Sequence, residues 1–282
     1  MQLDMERTRT LCRLALDEDL DGLGDVTTKA IIPAHLMTHA YFTNRQECVC
    51  CGMPVLSELF RMLDSDIKFE PNVPEGKLCP PYTRMATVTG SARAILTGER
   101  TALNFLQRLS GIATMTKNYV EALGDSETKL LDTRKTTPGY RNLEKYAVAV
   151  GGGQNHRIGL YDMVMIKDNH RELAKLTGPD SIRHAVEMAR NAYPNHQIEV
   201  EADTLDDVQK ALDAKADIIM LDNMDNETME TALRIIGGKA KTEASGGITL
   251  KRLPSLAKIG LTFISVGALT HSATSIDIGL DM

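Results

Sequence analysis

The sequence has no excess of positive charge. Its 32 Lys and Arg residues face 38 Asp and Glu residues, so the formal net charge is −6 and the isoelectric point lies near 5.7. Proteins that bind nucleic acid need a basic surface for the phosphate backbone. The composition therefore argues against a nucleic-acid-binding protein, although a local basic group could still serve a small anionic ligand.

Long apolar segments are also lacking. The first residues of the chain carry Asp4, Glu6 and Asp17 among their apolar positions, which interrupts the apolar region that a secretory signal needs. No later run of apolar residues reaches the length that crosses a membrane. We therefore expect a cytoplasmic protein.

Cysteine is scarce and odd in number. The five residues are Cys12, Cys48, Cys50, Cys51 and Cys79. Without an export signal, this count argues against a disulfide framework. The cluster at residues 48–51 suggests a metal site, but no second Cys or His pair stands at zinc spacing and the surroundings indicate a strand. Structural cysteines are the favoured interpretation.

The pattern of apolar residues predicts two domains. With 43% hydrophobic residues, a chain of 282 residues can fill two modest cores. Helical spacing over residues 5–20 is followed by short strand-like runs, separated by turns that contain Gly and Pro. A helix is then predicted over residues 99–109, ending at Ser110-Gly111. The boundary placed there gives domains 1–111 and 112–282.

The second half of the chain alternates between strands and helices. Six strand-like runs are predicted, at residues 129–132, 163–167, 197–201, 217–222, 241–245 and 263–267. Helical stretches lie between most of them, for example at residues 181–191, 205–214 and 227–236. Repeated βα units of this length give parallel strands, and no Rossmann glycine pattern follows the first strand. An α/β barrel of about six or more strands is therefore favoured over a doubly wound sheet.

Nearly every predicted strand ends in a charged, hydroxyl or glycine residue, or is followed closely by one. These residues are Asp132, Arg134, Lys135, Lys167, Glu201, Asp222, Ser245, Gly246 and Gly267. A single charged residue at a strand end is usually a solvated rim residue, but the same explanation for all the ends together is improbable. In an α/β barrel these ends converge on the face that carries the active site, so we predict a site there.

The residue types at this face suggest a phosphorylated sugar, a second anion and a metal. The basic members are Arg134, Lys135, His156, Arg157 and Lys167. Such a group suits a small polyanion, because the guanidinium of Arg binds carboxylates and phosphates bidentately. Glu201 and Asp222 suit Mg²⁺ or sugar hydroxyls. The glycines that follow Ser245 and Val266 suit a phosphate held on backbone N–H groups.

Gly151-Gly152-Gly153 follows a helical stretch and not a strand, so it fails the context test for a nucleotide-binding loop. We interpret it as a loop that brings His156 and Arg157 into the site. A plain glycine cap of the preceding helix explains Gly151 equally well.

At these positions the sequence resembles the quinolinate phosphoribosyltransferase family. The matching segments occur in the family's order over essentially the whole chain, and those around Arg134 and His156 are specific. The segments are residues 98–104, 110–114, 132–139 (DTRKTTPG), 151–157 (GGGQNHR), 166–170, 199–201, 221–223, 244–248 and 265–271. The cysteines at residues 48–51 are not part of the pattern.

The resemblance implies an N-terminal α/β sandwich domain followed by an incomplete α/β barrel of about six strands. It also implies a homodimer, or a larger assembly, in which the N-terminal domain of one subunit covers the active site of the other. Arg100 would then enter the partner's active site and help to bind quinolinate. The sequence by itself indicates only an exposed residue in the first turn of a helix at Arg100.

The implied activity is transfer of the phosphoribosyl group from phosphoribosyl pyrophosphate to quinolinate, with decarboxylation, in the biosynthesis of NAD. The implied cofactor is Mg²⁺. No covalent enzyme intermediate is needed, because the reaction passes through an oxocarbenium-like state stabilised by positioning and charge. Lys167 is accordingly interpreted as an electrostatic residue.

The resemblance also assigns substrate-binding roles residue by residue. Arg134, His156 and Arg157 would hold the quinolinate carboxylates, and Lys135 and Lys167 would face the pyrophosphate. Glu201 and Asp222 would bind the ribose hydroxyls directly or through Mg²⁺, and with the two lysines they form the predicted catalytic set. The remaining predicted contacts, most of them to the 5-phosphate, are Thr133, Ser245, Gly246, Gly267 and His271.

Three other functions are compatible with the sequence. A paralogue could use another heteroaromatic acid such as nicotinate. A Schiff-base aldolase or lyase on the same barrel would use Lys167 as its nucleophile, and borohydride would then trap a covalent adduct. A non-catalytic anion-binding module is the least favoured, because it would not need Glu201 and Asp222 beside so many cations.

Overall fold

The computed structural model describes residues 3–174 and 181–282. Within this range the chain forms two compact units. The first contains the chain up to Lys117 together with Lys135–Gly153 and Ala268–Met282, and the second contains Asn118–Arg134 and Gln154–Gly267. The domain division at residue 111 stays a prediction.

The first unit is built on an antiparallel sheet with the strand order β12-β1-β5-β3. Its strands are β1 (Met37–Asn44), β2 (Cys48–Val49), β3 (Lys68–Pro71), β4 (Leu78–Cys79), β5 (Arg84–Ser91) and β12 (Ile278–Asp281). Its helices are α1 (Met5–Leu20), α2 (Val26–Ile31), α3 (Met53–Leu63), most of α4 (Ala92–Ala122), α5 (Arg141–Val150) and α11 (Ala268–His271). Phe42 of β1, Phe60 of α3 and Phe69 of β3 pack together with ring centroids 6.0–6.2 Å apart. Helix and sheet therefore share one aromatic core.

The ends of the helices have local causes in the sequence. α1 begins after Asp4, whose carboxylate accepts hydrogen bonds from the backbone N–H groups of Glu6 and Arg7. It ends at Asp21, which adopts the left-handed conformation. The helix predicted over residues 5–20 is confirmed.

The helix predicted over residues 99–109 is longer than expected in both directions. α4 begins at Ala92, where Ser91 Oγ accepts a hydrogen bond from the backbone of the first turn, and it continues through Ser110-Gly111. Gly111 is needed for a close approach, because a Cβ there would lie 2.1 Å from the carbonyl oxygen of Thr274. The glycine that was interpreted as a helix end is therefore a packing site. No helix in the described part of the chain is long and apolar enough to cross a membrane.

All five cysteines are free and buried, and all lie in the first unit. Cys48 and Cys79 are cross-strand partners in β2 and β4. Burial raises the pKa of Cys48 to about 11 and that of Cys12 to about 12. Among the described residues, the groups that could hold a metal ion contain no cysteine. Buried thiols that stay protonated agree with a structural interpretation.

The second unit is the predicted parallel α/β structure. Its strands are β6 (Lys129–Leu131), β7 (Val164–Ile166), β8 (Ile198–Ala202), β9 (Ile218–Asp222), β10 (Lys241–Ser245) and β11 (Phe263–Ser265). Its helices are α6 (Asp168–Ala174), α7 (Ser181–Ala192), α8 (Leu205–Asp213), α9 (Asn226–Ile236) and α10 (Leu253–Leu256). The six strands and the three helices predicted between them are confirmed.

The strand order in this unit is β6-β11-β10-β9-β8-β7, and all the pairings are parallel. The first strand thus pairs with the last, whereas β6 and β7 are the two edges of the sheet. A consecutive order of this kind belongs to a barrel that is open between its first and second strands. The carboxyl ends of the strands lie along one rim, as the sequence predicts.

Candidate functional site

The rim of the second unit carries a pair of opposite charges next to the edge strand β7. Lys167 follows β7, and its ammonium makes a close ion pair with the Oε2 atom of Glu201, which lies in β8. Glu201 is buried, whereas the side chain of Lys167 is 44% exposed. This ion pair suits an electrostatic role for Lys167.

Three carboxylates converge beside this pair. Glu201, Asp203 and Asp222 each offer an oxygen atom, and these atoms all lie within 4.8 Å of one another. Oxygen-rich clusters of this kind are what a hard divalent cation binds, so the residues present fit Mg²⁺. Asp203, which also makes an ion pair with Arg171, was missed by the sequence analysis because it lies one residue beyond the end of β8.

Two arginines of the predicted site, Arg134 and Arg157, also belong to the second unit. Burial and the positive charge of Arg134 together lower the pKa of Arg157, so the two guanidinium groups lie close enough to repel each other. Arg157 donates to the carbonyl oxygen of Met163 at 3.3 Å. The Nε atom of Arg134 is buried and has no hydrogen-bond partner among the described residues. Arg134 therefore has a donor available for an anion, which a guanidinium binds through charge-assisted hydrogen bonds.

Asp132 anchors the loop that carries Arg157. It is fully buried directly after β6, and its Oδ1 accepts a hydrogen bond of 2.8 Å from the backbone N–H of His156. Its Oδ2 accepts another of 2.7 Å from the side chain of Asn155. Because Gln154 bridges to Leu131 of β6, the loop is fixed to the end of this strand. Asp132 is thus a structural anchor of the site.

His156 is held at both ring nitrogens. Its Nε2 lies 3.2 Å from Oε2 of Glu199 and 3.3 Å from Oε2 of Glu243, and its Nδ1 accepts a 2.7 Å hydrogen bond from the backbone N–H of Arg157. Burial lowers the pKa of His156, but the two carboxylates outweigh this effect and raise it to about 10. The contact at Nδ1 makes that atom an acceptor, so the proton on Nε2 lies between the two carboxylates, and the raised pKa belongs to the cluster of His156, Glu199 and Glu243 and not to a second ring N–H. Any further proton of the cluster then belongs on a carboxylate, and burial and the charge of Glu243 raise the pKa of Glu199 to about 7.

A tight turn follows β10 at the same rim. Gly246 and Gly247 have φ angles of 84° and 60°, which favour glycine. A Cβ at Gly246 would lie 2.2 Å from Oδ1 of Asn223, the residue whose backbone N–H donates to the carbonyl oxygen of Ser245. The turn therefore exposes backbone close to Asp222, with which Ser245 is in register. Gly267 follows β11 at the next position of the rim.

Three consecutive members of the predicted site, Thr133, Arg134 and Lys135, lie where the second unit meets a segment of the first along the chain. Thr133 and Arg134 lie between Asp132 and the end of the segment that the second unit contributes, and both are half-buried. Lys135 is exposed and begins the next segment of the first unit, where its carbonyl oxygen accepts a 2.7 Å hydrogen bond from Oγ1 of Thr270.

Arg100 and His271 both belong to the first unit. Arg100 is exposed on α4, in the third turn of that helix and not in the first as the sequence suggested. His271 is exposed at the end of α11, and its Nδ1 lies 2.7 Å from Oγ of Ser272. The binding roles assigned to these two residues and to Lys135 stay predictions.

Known protein families and relatives match this chain over most of its length. A family model described as "Quinolinate phosphoribosyl transferase, N-terminal domain" matches residues 25–110, and its counterpart for the C-terminal domain matches residues 112–281. A protein of Bacillus subtilis named "Probable nicotinate-nucleotide pyrophosphorylase [carboxylating]" is 43% identical over 94% of this chain and 90% of its own length.

Solved structures agree with this result. The nicotinate-nucleotide pyrophosphorylase from Francisella tularensis has a TM-score of 0.91 at 40% identity, covering 99% of this chain and 97% of its own. NadC from Streptococcus pyogenes has a TM-score of 0.94 at 38% identity, covering 100% of this chain and 98% of its own.

Proposed function

The chain belongs to the quinolinate phosphoribosyltransferase family, and we propose that it catalyses the reaction for which that family is named. The protein transfers the phosphoribosyl group of phosphoribosyl pyrophosphate to the nitrogen of quinolinate. The products are nicotinate mononucleotide, pyrophosphate and CO₂, and the pathway served is NAD biosynthesis. The observation that carries the proposal is the joint presence, in one unit, of a paired arginine site and a carboxylate cluster beside Lys167.

Quinolinate is the ligand that the arginine pair fits. Its adjacent carboxylates carry two negative charges, and Arg134 and Arg157 are close enough to depress the pKa of one of them. An anion placed between the guanidinium groups would relieve this repulsion and occupy the buried Nε of Arg134. A monocarboxylate such as nicotinate would satisfy the pair less completely. This difference supports a dicarboxylate substrate.

The carboxylate cluster fits the ribose side of the second substrate. Glu201 and Asp222, with Asp203 beside them, would hold Mg²⁺ or accept hydrogen bonds from ribose hydroxyls. When bound, Mg²⁺ supplies positive charge that stabilises the leaving pyrophosphate. Ser245, Gly246 and Gly267 stand on the same rim and would hold the 5-phosphate. Thr133 and His271 complete the proposed substrate contacts.

The chain's own residues act by orientation and charge. Lys167, paired with Glu201, neutralises negative charge on the leaving group as the glycosidic carbon becomes oxocarbenium-like. Lys135 is proposed to assist in the same task. Arg134 and Arg157 fix the pyridine ring by its carboxylates, so that its nitrogen faces C1 of the ribose. Once that bond forms, the cationic ring withdraws electrons from C2, the 2-carboxylate leaves as CO₂, and the electron pair left on C2 takes up a proton from solvent.

Two further properties belong to the proposal. We infer a homodimer in which Arg100, an exposed residue on α4, reaches the active site of the partner subunit. We also infer a cytoplasmic protein, because five free and buried thiols suit a reducing compartment.

The test is an assay of the purified protein with quinolinate, phosphoribosyl pyrophosphate and Mg²⁺. Nicotinate mononucleotide and CO₂ should form in equal amounts, and EDTA should stop both. Nicotinate offered in place of quinolinate should give little product. Product from nicotinate and none from quinolinate would refute the substrate, and no reaction with phosphoribosyl pyrophosphate would refute the reaction class. Trapping of substrate by borohydride would instead identify a Schiff-base enzyme.

A further inference from the structure

Two buried glutamates lie beneath the proposed site and have no place in the reaction described above. Glu199 of β8 is completely buried, and Glu243 of β10 is 1% exposed. Apart from His156 and each other, their carboxylate oxygens have no hydrogen-bond partner among the described residues. Both carboxylates approach the Nε2 atom of His156, at 3.2 and 3.3 Å. One imidazole thus stands between two buried acids.

Such a cluster does not contribute to stability as apolar side chains would. Burying two neighbouring carboxylates costs free energy through desolvation and mutual repulsion, and replacing buried ionic groups with well-packed apolar residues is often neutral or stabilising. A cost of this kind in the interior of a barrel calls for a function. The contacts of His156 show where that function acts.

The cluster connects to the arginine pair through the His156 ring. The two glutamates fix Nε2, and Nδ1 on the opposite side accepts the backbone N–H of Arg157. Asp132 holds the backbone N–H of His156 itself. The backbone at Arg157 is therefore tied to the end of β6 through Asp132, and to β8 and β10 through the His156 ring. Its guanidinium is held separately, by the carbonyl oxygen of Met163.

We propose that Glu199 and Glu243 are positioning residues for quinolinate binding, which act by fixing the His156 ring and through it the backbone of Arg157. This inference rests on the proposed function. The glutamates do not touch the substrate. They select the ring orientation in which Nδ1 faces Arg157, because two acceptors at Nε2 disfavour the flipped ring. The substrate-binding arginine is thereby placed before its ligand arrives, which is the requirement for tight recognition of a rigid dicarboxylate.

The discriminating variant is Glu243→Leu. A cavity of about 330 Å³ adjoins Glu243, with Ile218 and Phe263 also in its lining, so a leucine can be accommodated. Glu199 remains as a partner for His156, which avoids an uncompensated buried charge. We expect KM for quinolinate to rise at least tenfold, while KM for phosphoribosyl pyrophosphate stays within twofold of wild type. The melting temperature should stay equal or rise.

Glu58→Gln is the matched control. Glu58 is a buried glutamate of α3 in the first unit, paired with Arg9 and Arg61. Its replacement should leave both KM values unchanged. The ¹H–¹⁵N spectrum of labelled histidine adds a direct readout, because the Nε2–H signal of His156 should shift in Glu243→Leu, where one of its two carboxylate partners is lost, and stay unchanged in Glu58→Gln.

The outcomes separate this inference from the proposed function. A wild-type protein that is inactive with quinolinate refutes the function. An active wild type whose Glu243→Leu variant keeps its KM for quinolinate refutes the positioning role. Equal rises in both KM values would indicate a general structural effect and also refute it. A stoichiometric transition metal in the purified protein that Glu243→Leu loses would identify the cluster as a metal site and overturn the proposal.

Discussion

Replacement of Arg134 by methionine should weaken function and strengthen the fold at the same time. Methionine keeps much of the length of the side chain but removes its charge and its donors. In the free protein, Arg134 lies near a second guanidinium, that of Arg157, and its buried Nε has no acceptor among the described residues. The substitution therefore removes two unfavourable features that only a bound anion would correct.

The magnitudes follow from these two features. A hydrogen bond between charged groups contributes about 1.5–3 kcal/mol, so kcat/KM for quinolinate should fall about 10- to 150-fold. A buried donor without a partner costs about 1–3 kcal/mol. Since each kcal/mol shifts the melting temperature of a protein of this size by roughly 2–4 °C, the unliganded Arg134→Met variant should melt a few degrees above wild type.

The assay pairs initial rates with thermal melts, each with and without quinolinate. Quinolinate should raise the melting temperature of wild type and leave that of Arg134→Met nearly unchanged. Arg234→Met on α9 is the control, because Arg234 is exposed and donates a hydrogen bond to Thr231 on the same helix. A variant at 134 that loses stability and activity together would refute the reasoning, since Arg134 would then be held by the fold and not reserved for a ligand.

Four further outcomes are expected. Gly246→Ala should lower the free energy of unfolding by more than the roughly 1–2 kcal/mol that a left-handed residue costs, because its Cβ would lie 2.2 Å from a side-chain oxygen and 2.9 Å from a backbone nitrogen. The control is Gly238→Ala, at φ 75° with nothing within 4 Å, which should lose only the backbone term. Chemical denaturation measures both. Asp222→Asn should raise the Mg²⁺ concentration for half-maximal rate on the order of tenfold, and an unchanged requirement would remove it from the metal site. The five cysteines should resist a thiol reagent at pH 8 until denaturant is added, because a pKa of about 11 leaves about one thiol in a thousand ionised. Burial raises the pKa of Glu58, but hydrogen bonds from Arg61 and Arg9 lower it by more, so the folded pKa lies below the usual value. The contribution of Glu58 to stability is therefore present above pH 4.5 and is lost as the pH falls through the folded pKa. The difference in unfolding free energy between wild type and Glu58→Gln should shrink accordingly in acid.

The parallel half of the fold could be predicted because most of its strands are short, largely apolar runs with a polar residue at or just after the carboxyl end. β9 is an example, since Ile218–Asp222 reads as buried residues followed by a carboxylate. The bounds of α9 are also predictable, because Asp225 caps its first turn and Gly237 ends it in the left-handed conformation. These features are local, so one sequence contains them.

Long-range packing was not predictable in the same way. Ser110-Gly111 has the composition of a helix end, yet α4 passes through both residues. Ser110 Oγ accepts a hydrogen bond from the backbone N–H of Cys51, and Gly111 admits the carbonyl of Thr274. The partners lie far away in the chain, so propensity alone gave the wrong helix boundary. Asp203 was missed for a related reason, because its position beyond the strand end looks like an ordinary loop carboxylate.

Glu199 and Glu243 show which pattern would have revealed the buried layer of the site. Glu199 stands two residues before Glu201 in β8, and Glu243 stands two residues before Ser245 in β10. Residues two apart in a strand point to the same side. If the rim residues Glu201 and Ser245 face the barrel interior, the glutamates must face it one layer deeper, where an unpaired carboxylate is costly. The alternation thus predicts a hidden basic partner, but it cannot name His156, which reaches the strands from the segment between β6 and β7.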